Sequence, residues 1–212
     1  MIAKTDIARL KITLDDVEPV VIRRICVPIG IRLDRLHVVV QAAVGWTGGH
    51  LWEFRARVIG WGPKDDHDKL GDGPLDATKA TLLAVLDDTS VKTFKYLYDF
   101  GDGWEHTIKV ERIFDGVPGL DLPFLLEATS RCPPEDIGGP WGYKEFLEAI
   151  ADPNHERRAE FKEFFGTHFD PNAVDIKSIE ESLEAIAQVW RPKAQSNARN
   201  AAKPTAPHGG AR

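Results

Sequence analysis

The segment from Tyr98 to His106, YDFGDGWEH, joins two stretches in which apolar and polar residues alternate. A period of two is typical of half-buried strands, so residues 93–98 and 104–114 are predicted to form strands. The glycines between them suit a tight turn, because a positive φ costs glycine little. The sequence therefore predicts an antiparallel hairpin in which Gly101 or Gly103 has a positive φ.

The same alternation predicts strands at residues 8–14, 20–27 and 50–61, with the first two paired as a hairpin. Residues expected to share one face of the third strand are His50, Trp52, Phe54, Ala56 and Val58. Apolar residues at spacings of three and four predict five helices, at 33–44, 78–87, 140–151, 154–165 and 176–190. Residues 62–74, rich in Gly, Pro and Asp, are predicted to form a mobile loop.

Several residues mark where the helices begin and end. Gly45 is expected to end the first helix, and Pro140 suits the first turn of the third. Ser178 and Glu181 are predicted to form a capping box in the last helix. Strands dominate residues 1–114 and helices dominate 133–190, which predicts an α+β fold: a single domain with a mostly antiparallel sheet of about five strands, covered by helices on one face, and a helical C-terminal third.

Length and charge limit the class of protein. The chain of 212 residues suits one domain over residues 1–190, followed by a basic tail, 191–212, that has no acid, few large apolar residues and a composition typical of disorder. The whole chain carries a formal net charge of −6, so the body without that tail is still more acidic and is not expected to bind duplex DNA.

No apolar run reaches the roughly 20 residues of a membrane span, and the N-terminus lacks the apolar segment of a signal peptide. The protein is therefore expected to be cytoplasmic and not embedded in a membrane. Cys26 and Cys132 are expected to remain reduced in that compartment.

Polar residues around the turn are candidates for a ligand site. Asp99 lies near a strand end, where aspartate is disfavoured, so its carboxylate is expected to have a partner: a backbone amide, Arg55 or a metal ion. Asp102 is expected to stabilise the turn through its own side chain. His106 shares a strand face with Trp104 and apolar residues, so it is either a core-edge histidine or part of a pocket.

Glu135 and Asp136 lie in a distant loop, between two prolines and the pair Gly138-Gly139. They either cap the helix that follows or fold back over the strand end that carries Asp99, where carboxylates and histidines would suit a divalent cation. The full candidate ligand-binding set is His50, Trp52, Asp99, Asp102, Trp104, His106, Glu135, Asp136 and Trp141. No nucleotide-binding or hydrolase motif is present, so no catalytic residue is identified.

Five segments together resemble the Ri-plasmid ORF-3-like family, whose members occur on plasmids, in mobile elements and in chromosomes. They are VIRRICVP, LHVVVQAAVGW, HLWEF, YDFGDGWEH and CPPEDIGGPWGY, in that order, and the resemblance covers about residues 4–190. Val21 departs from the family, which often has tryptophan there. The resemblance implies a compact α+β fold and carries no established activity.

Some members of the family are labelled as transposon-passenger resolvases, and this sequence disagrees with that label. The first serine is Ser90, and no serine lies with the arginine cluster that a serine recombinase needs.

Three hypotheses remain: a non-catalytic binding or accessory module, a metal-dependent hydrolase using the same acids and histidines, or a nucleic-acid-binding accessory protein that uses aromatic residues and the basic tail. The sequence identifies no partner, no oligomeric state and no cofactor other than a possible divalent metal.

Overall fold

The structure is a computed structural model that describes residues 6–64, 73–166 and 168–191. It has an α+β architecture, as predicted. The strands are β1 (Ile7–Leu14), β2 (Val21–Pro28), β3 (Trp52–Ala56), β4 (Ile59–Gly62), β5 (Leu75–Asp76), β6 (Thr93–Tyr98), β7 (Trp104–Phe114) and β8 (Phe124–Thr129). The helices are α1 (Leu33–Val44), α2 (Leu82–Thr89), α3 (Gly139–Ala151), α4 (Arg158–Phe165) and α5 (Ile176–Trp190).

All these strands form one sheet in the order β5-β4-β3-β6-β7-β1-β2-β8. Every neighbouring pair is antiparallel except β4 and β5, which are parallel. The predicted hairpins β1–β2 and β6–β7 are both present. The sheet is therefore mostly antiparallel, as predicted, but it has eight strands where about five were expected.

The extra strands have local causes. The stretch predicted as one strand over 50–61 turns back at Arg57, whose φ is 55°, and so forms β3 and β4. Val58, expected on the face of Trp52, lies at this turn and is 99% exposed. The other missed strands, β5 and β8, are the two edges of the sheet, where a strand is only partly buried and the alternating pattern is weak.

One face of the sheet is apolar and covered by helices. In β1, Ala8, Leu10, Ile12 and Leu14 are buried, while the residues between them are only half buried. α1 contacts β2 and β4, and α5 contacts α1 and β8. The opposite side of the strands carries ion pairs, for example Lys95 with Asp15. This division is the expected result of side chains that point alternately to the two faces.

The helix boundaries agree with prediction at α1 and α5 and differ at the other helices. α1 ends at Gly45, which has a φ of 85°. α5 is capped by Asp175, whose side chain accepts a hydrogen bond from the Ser178 N–H, so the predicted Ser178–Glu181 capping box is wrong. α2 begins after Thr81, which caps it, and α4 begins at Arg158, four residues later than predicted.

The predicted loop 62–74 and the predicted tail 191–212 lie mostly outside the described residues. Most of the predicted loop 62–74 lies outside the described residues, and Gly62 itself belongs to β4. Arg191, assigned by the sequence to the tail, pairs with Asp121 and continues the domain, while residues 192–212 lie outside the described part. Within the described ranges, no helix is long and apolar enough to cross a membrane.

Candidate cation site at the hairpin turn

Five residues, 99–103, connect β6 to β7, and Asp99 organises their backbone. Its Oδ1 accepts a hydrogen bond from the Gly101 N–H at 3.0 Å, and its carbonyl accepts one from the Gly103 N–H at 2.6 Å. Gly103 has a φ of 69°, which confirms that one of the two glycines has a positive φ. The expected partner of Asp99 is therefore, in part, a backbone amide; Arg55 instead pairs with Glu53.

Asp102 does not stabilise its own turn as predicted. Its Oδ2 accepts a hydrogen bond from the Gly138 N–H at 3.1 Å, just before α3. The approach is close, because a Cβ placed on Gly139 would lie only 2.1 Å from the Asp102 carbonyl oxygen. Asp99 thus caps the turn, and Asp102 links the turn to the N-terminus of α3 through this hydrogen bond.

Glu135 holds the loop before α3 against the end of β6. Its carboxylate accepts hydrogen bonds from the Thr47 N–H at 2.8 Å and from the Tyr98 hydroxyl at 2.6 Å. Burial, followed by the neighbouring Glu135 carboxylate, raises the pKa of Tyr98 to about 12. The Pro133 carbonyl in this loop also accepts a hydrogen bond from the indole N–H of Trp46. The loop therefore lies over the strand end that carries Asp99, the geometry expected of a shared site.

His50 lies between two carboxylates at this strand end. Its Nδ1 is 3.5 Å from Oδ2 of Asp99, and its Nε2 is 3.3 Å from Oδ1 of Asp136. One ligand atom of each residue lies within 4.8 Å of the other two, so the set has the spacing of a metal-binding group. The three side chains come from three separate segments of the chain: the loop before β3, the hairpin turn and the loop before α3.

Exposure differs among these three residues and suggests different roles. The side chain of Asp99 is 13% exposed and is fixed by the turn, whereas that of Asp136 is 74% exposed. Metal-binding histidines usually have their second ring nitrogen held by a carboxylate or carbonyl. Asp99 lies at Nδ1 of His50, and the largely exposed Asp136 carboxylate lies at Nε2.

The remaining histidine candidate, His106, is not part of this cluster. Its side chain is fully buried, its Nδ1 lies 3.3 Å from the Tyr96 carbonyl, and its ring packs edge-on against Trp46. Burial lowers the pKa of His106 to about 4. It is a core histidine bonded to a backbone carbonyl, which was the alternative to the pocket interpretation.

The three tryptophan candidates also lie outside the cluster. Trp52 stacks on His37 with ring centroids 4.3 Å apart, and Trp104 is 1% exposed, so both belong to the core. Trp141 lies on α3 and is 82% exposed. Period-two patterns placed Trp52 and Trp104 on the apolar face, but such patterns do not distinguish a core position from the wall of a pocket.

Thr47 is a site residue that sequence reasoning missed. It lies two residues after the Gly45 cap of α1 and donates a backbone hydrogen bond to Glu135. Backbone donors carry no side-chain signal, so no sequence pattern identifies it. Tyr98 begins the YDFGDGWEH segment, but the sequence does not indicate that its hydroxyl donates a hydrogen bond to Glu135.

Comparison with known proteins supports the resemblance seen in the sequence. The family described as plasmid pRiA4b ORF-3-like protein matches residues 6–178. A Sinorhizobium fredii protein, described as uncharacterized protein y4hQ, is 55% identical over 190 residues, which cover 89% of this chain and 96% of that protein.

A solved structure is also similar to this chain. It is a protein of unknown function, MM3350, from Methanosarcina mazei Go1, with a TM-score of 0.71 and 31% sequence identity. The alignment covers 81% of this chain and 96% of that one. Together with the family match over most of the domain, these similarities show that the chain belongs to the family of plasmid pRiA4b ORF-3-like proteins.

Proposed function

We propose that this protein is a binding module that takes a divalent cation at His50 and Asp136, with Asp99 orienting the imidazole. The observation that carries the proposal is the convergence of these three side chains, within 4.8 Å, from segments far apart in sequence. Neither contact of His50, with Asp99 or with Asp136, follows from local sequence alone. A carboxylate–histidine–cation arrangement would explain why Asp99 and Asp136 lie at opposite nitrogens of one ring.

The donor set favours a particular class of cation. An imidazole nitrogen with a carboxylate oxygen suits Zn²⁺ or another first-row divalent metal, whereas Ca²⁺ and Mg²⁺ prefer oxygen ligands alone. Because Asp136 is largely exposed, a cation held there would have coordination positions open to water or to oxygen atoms of a ligand. The module would then bind its ligand partly through the cation.

A metal-dependent hydrolase is the second candidate, and the same open positions favour it, since a bound water could be activated there. It also needs a base to take the proton of that water. Glu135, adjacent to Asp136 in the sequence, is an additional acid, but its carboxylate already accepts hydrogen bonds from Thr47 and Tyr98. Binding therefore has better support than hydrolysis.

Nucleic-acid binding through the tail depends on residues 192–212, which lie outside the described part of the chain.

Calorimetric titration of the full chain, purified without a metal-affinity tag, with Zn²⁺ and with Mn²⁺ tests the proposal. We expect one cation to bind per chain, and we expect His50→Gln and Asp136→Asn to abolish binding. Asp99→Asn should weaken binding about 10–100-fold, the usual effect of removing an orienting carboxylate. Its effect on stability should be small, because the asparagine carbonyl can still accept from the Gly101 N–H.

Asp88→Asn is the matched control, since Asp88 is an exposed acid on α2 and does not belong to this cluster. It should bind the cation as the wild type does. Wild-type affinity in both His50→Gln and Asp136→Asn would show that the cluster is not the site. Cation-dependent cleavage of model esters or phosphodiesters, lost in the same variants, would instead favour the hydrolase.

A further inference from the structure

A second feature, separate from the cation cluster, is a groove between the β1–β2 connection and one face of α3. Its volume is about 610 Å³. Val17 and Leu147 contribute apolar surface to it, and Trp141 stands beside them. Lys144 and Glu148 continue the α3 side of the groove at helical spacing from Trp141, so the helix presents one continuous stripe to it.

Trp141 is the most exposed tryptophan among the described residues, at 82%. Burial of an aromatic side chain of this size is strongly favourable, so an indole left in water at the edge of an apolar groove marks a contact surface. Phe164 and Val189 are also exposed apolar residues on helices, but neither lines this groove.

The rim of the groove carries unpaired negative charge. Asp16, Glu18 and Glu148 all line it, and none of these carboxylates forms a side-chain hydrogen bond or ion pair with another described residue. Among the described residues, Lys144 is the one basic residue that lines it. An apolar floor, an exposed indole and an excess of free carboxylates together suit a ligand in which a cationic group lies next to an apolar group.

We propose that this groove binds a polypeptide segment of a partner protein that presents an arginine next to an apolar side chain. The guanidinium would stack on the Trp141 indole and face the rim carboxylates, because arginine combines cation–π stacking with planar hydrogen bonding to carboxylates. The apolar neighbour would cover Val17 and Leu147. Nucleic acid does not fit, since its phosphates would meet the carboxylates of the rim.

The dimensions agree with a short extended segment. Trp141 and Glu148 are seven residues apart on α3, which is about 10 Å at the helical rise of about 1.5 Å per residue. An extended chain advances about 3.3 Å per residue, so roughly three residues of the partner would span the groove. The proposal uses no residue of the cation cluster and stands independently of it.

The test uses a capped pentapeptide, Gly-Leu-Arg-Leu-Gly, added to the full chain labelled with nitrogen-15. We expect a saturable shift of one indole N–H signal, the signal that disappears in Trp141→Ala. Glu18→Gln and Glu148→Gln should each weaken binding about threefold or more, and added salt should weaken it further. A peptide with citrulline in place of arginine keeps the shape and loses the charge, so it should bind far more weakly.

Phe164→Ala is the control, because Phe164 is 73% exposed on α4 and lies outside the groove. It should bind the peptide as the wild type does. The proposal is wrong if no saturable shift of the Trp141 signal occurs, if the citrulline peptide binds equally well, or if Phe164→Ala weakens binding as much as the rim variants do.

Discussion

At Gly103 the backbone has a φ of 69°, and its N–H donates to the Asp99 carbonyl across the turn. A Cβ there would meet no atom within 4 Å, so any substitution penalty reflects backbone strain alone. Gly103→Ala is expected to lower the free energy of unfolding by about 1–2 kcal/mol, the cost of the left-handed region for a residue with a Cβ. Urea denaturation measures this change.

Gly101→Ala is the control for this prediction, because Gly101 has no positive φ and a Cβ there would approach only the Asp99 side chain, at 3.3 Å. Its effect should be clearly smaller. Equal losses in the two variants would mean that the conformation of Gly103 does not limit the stability of the turn.

Individual residues also show where sequence reasoning reached its limit. The Gly-Asp-Gly pattern predicted the turn and a positive φ, since both depend on local backbone chemistry. It did not predict which aspartate caps the turn, because the partner of Asp102, the Gly138 N–H, is supplied by a segment 36 positions later. The contact between His50 and Asp136 likewise depends on long-range folding.

At the level of elements, strongly patterned segments were predicted correctly. β6 and β7 have the predicted boundaries, and so do α1 and α5. Two of the elements that were missed or misplaced lack a strong pattern: β8 is a half-exposed edge strand, and α4 has one buried residue, Phe161. Their positions are set by neighbours in space and not by their own sequence.

The contact between the hairpin turn and α3 supports a prediction at this scale. A Cβ on Gly139 would lie 2.1 Å from the Asp102 carbonyl oxygen, and Gly139 also has a φ of 70°. Gly139→Ala must therefore push the turn and the helix apart in addition to straining the backbone. We expect it to destabilise the protein by more than the roughly 1–2 kcal/mol of backbone strain alone, and to weaken cation binding at His50 and Asp136.

Gly119→Ala separates these two effects. Gly119 has a φ of 79°, so it carries similar backbone strain, but a Cβ there would meet nothing within 4 Å. This variant should be destabilised by backbone strain alone and should still bind the cation. If both variants bind the cation as the wild type does, the packing of α3 on the turn does not position the site.

At the scale of the whole molecule, the described domain ends with Arg191, whose guanidinium pairs with Asp121 beside β8. Deletion of residues 192–212 removes no contact of the described residues with one another, so we expect the melting temperature to change by less than about 4 °C. Deletion of residues 191–212 should lower it further, since the ion pair is then lost. A large loss with the shorter deletion would show that the tail stabilises the domain.

The whole molecule should also lose stability in weak acid because of two buried histidines. Burial lowers the pKa of both His37 and His106 from about 6.5 to about 4, so the folded protein keeps them neutral in this range. The unfolded chain takes up a proton on each as the pH falls below about 6.5, and the free energy of unfolding therefore decreases by up to about 1.4 kcal/mol per pH unit for each histidine. Above that pH the stability contributed by these groups is complete.

Urea denaturation between about pH 7 and pH 5, above the range in which most carboxylates titrate, measures this slope. His37→Gln is expected to remove about half of it, because one of the two buried groups no longer takes up a proton on unfolding. Phe164→Ala, which changes an exposed residue of α4 that does not titrate, should keep the slope. An unchanged slope in His37→Gln would show that burial of His37 does not couple folding to protonation, and the acid sensitivity would then have to arise at His106 or at carboxylates.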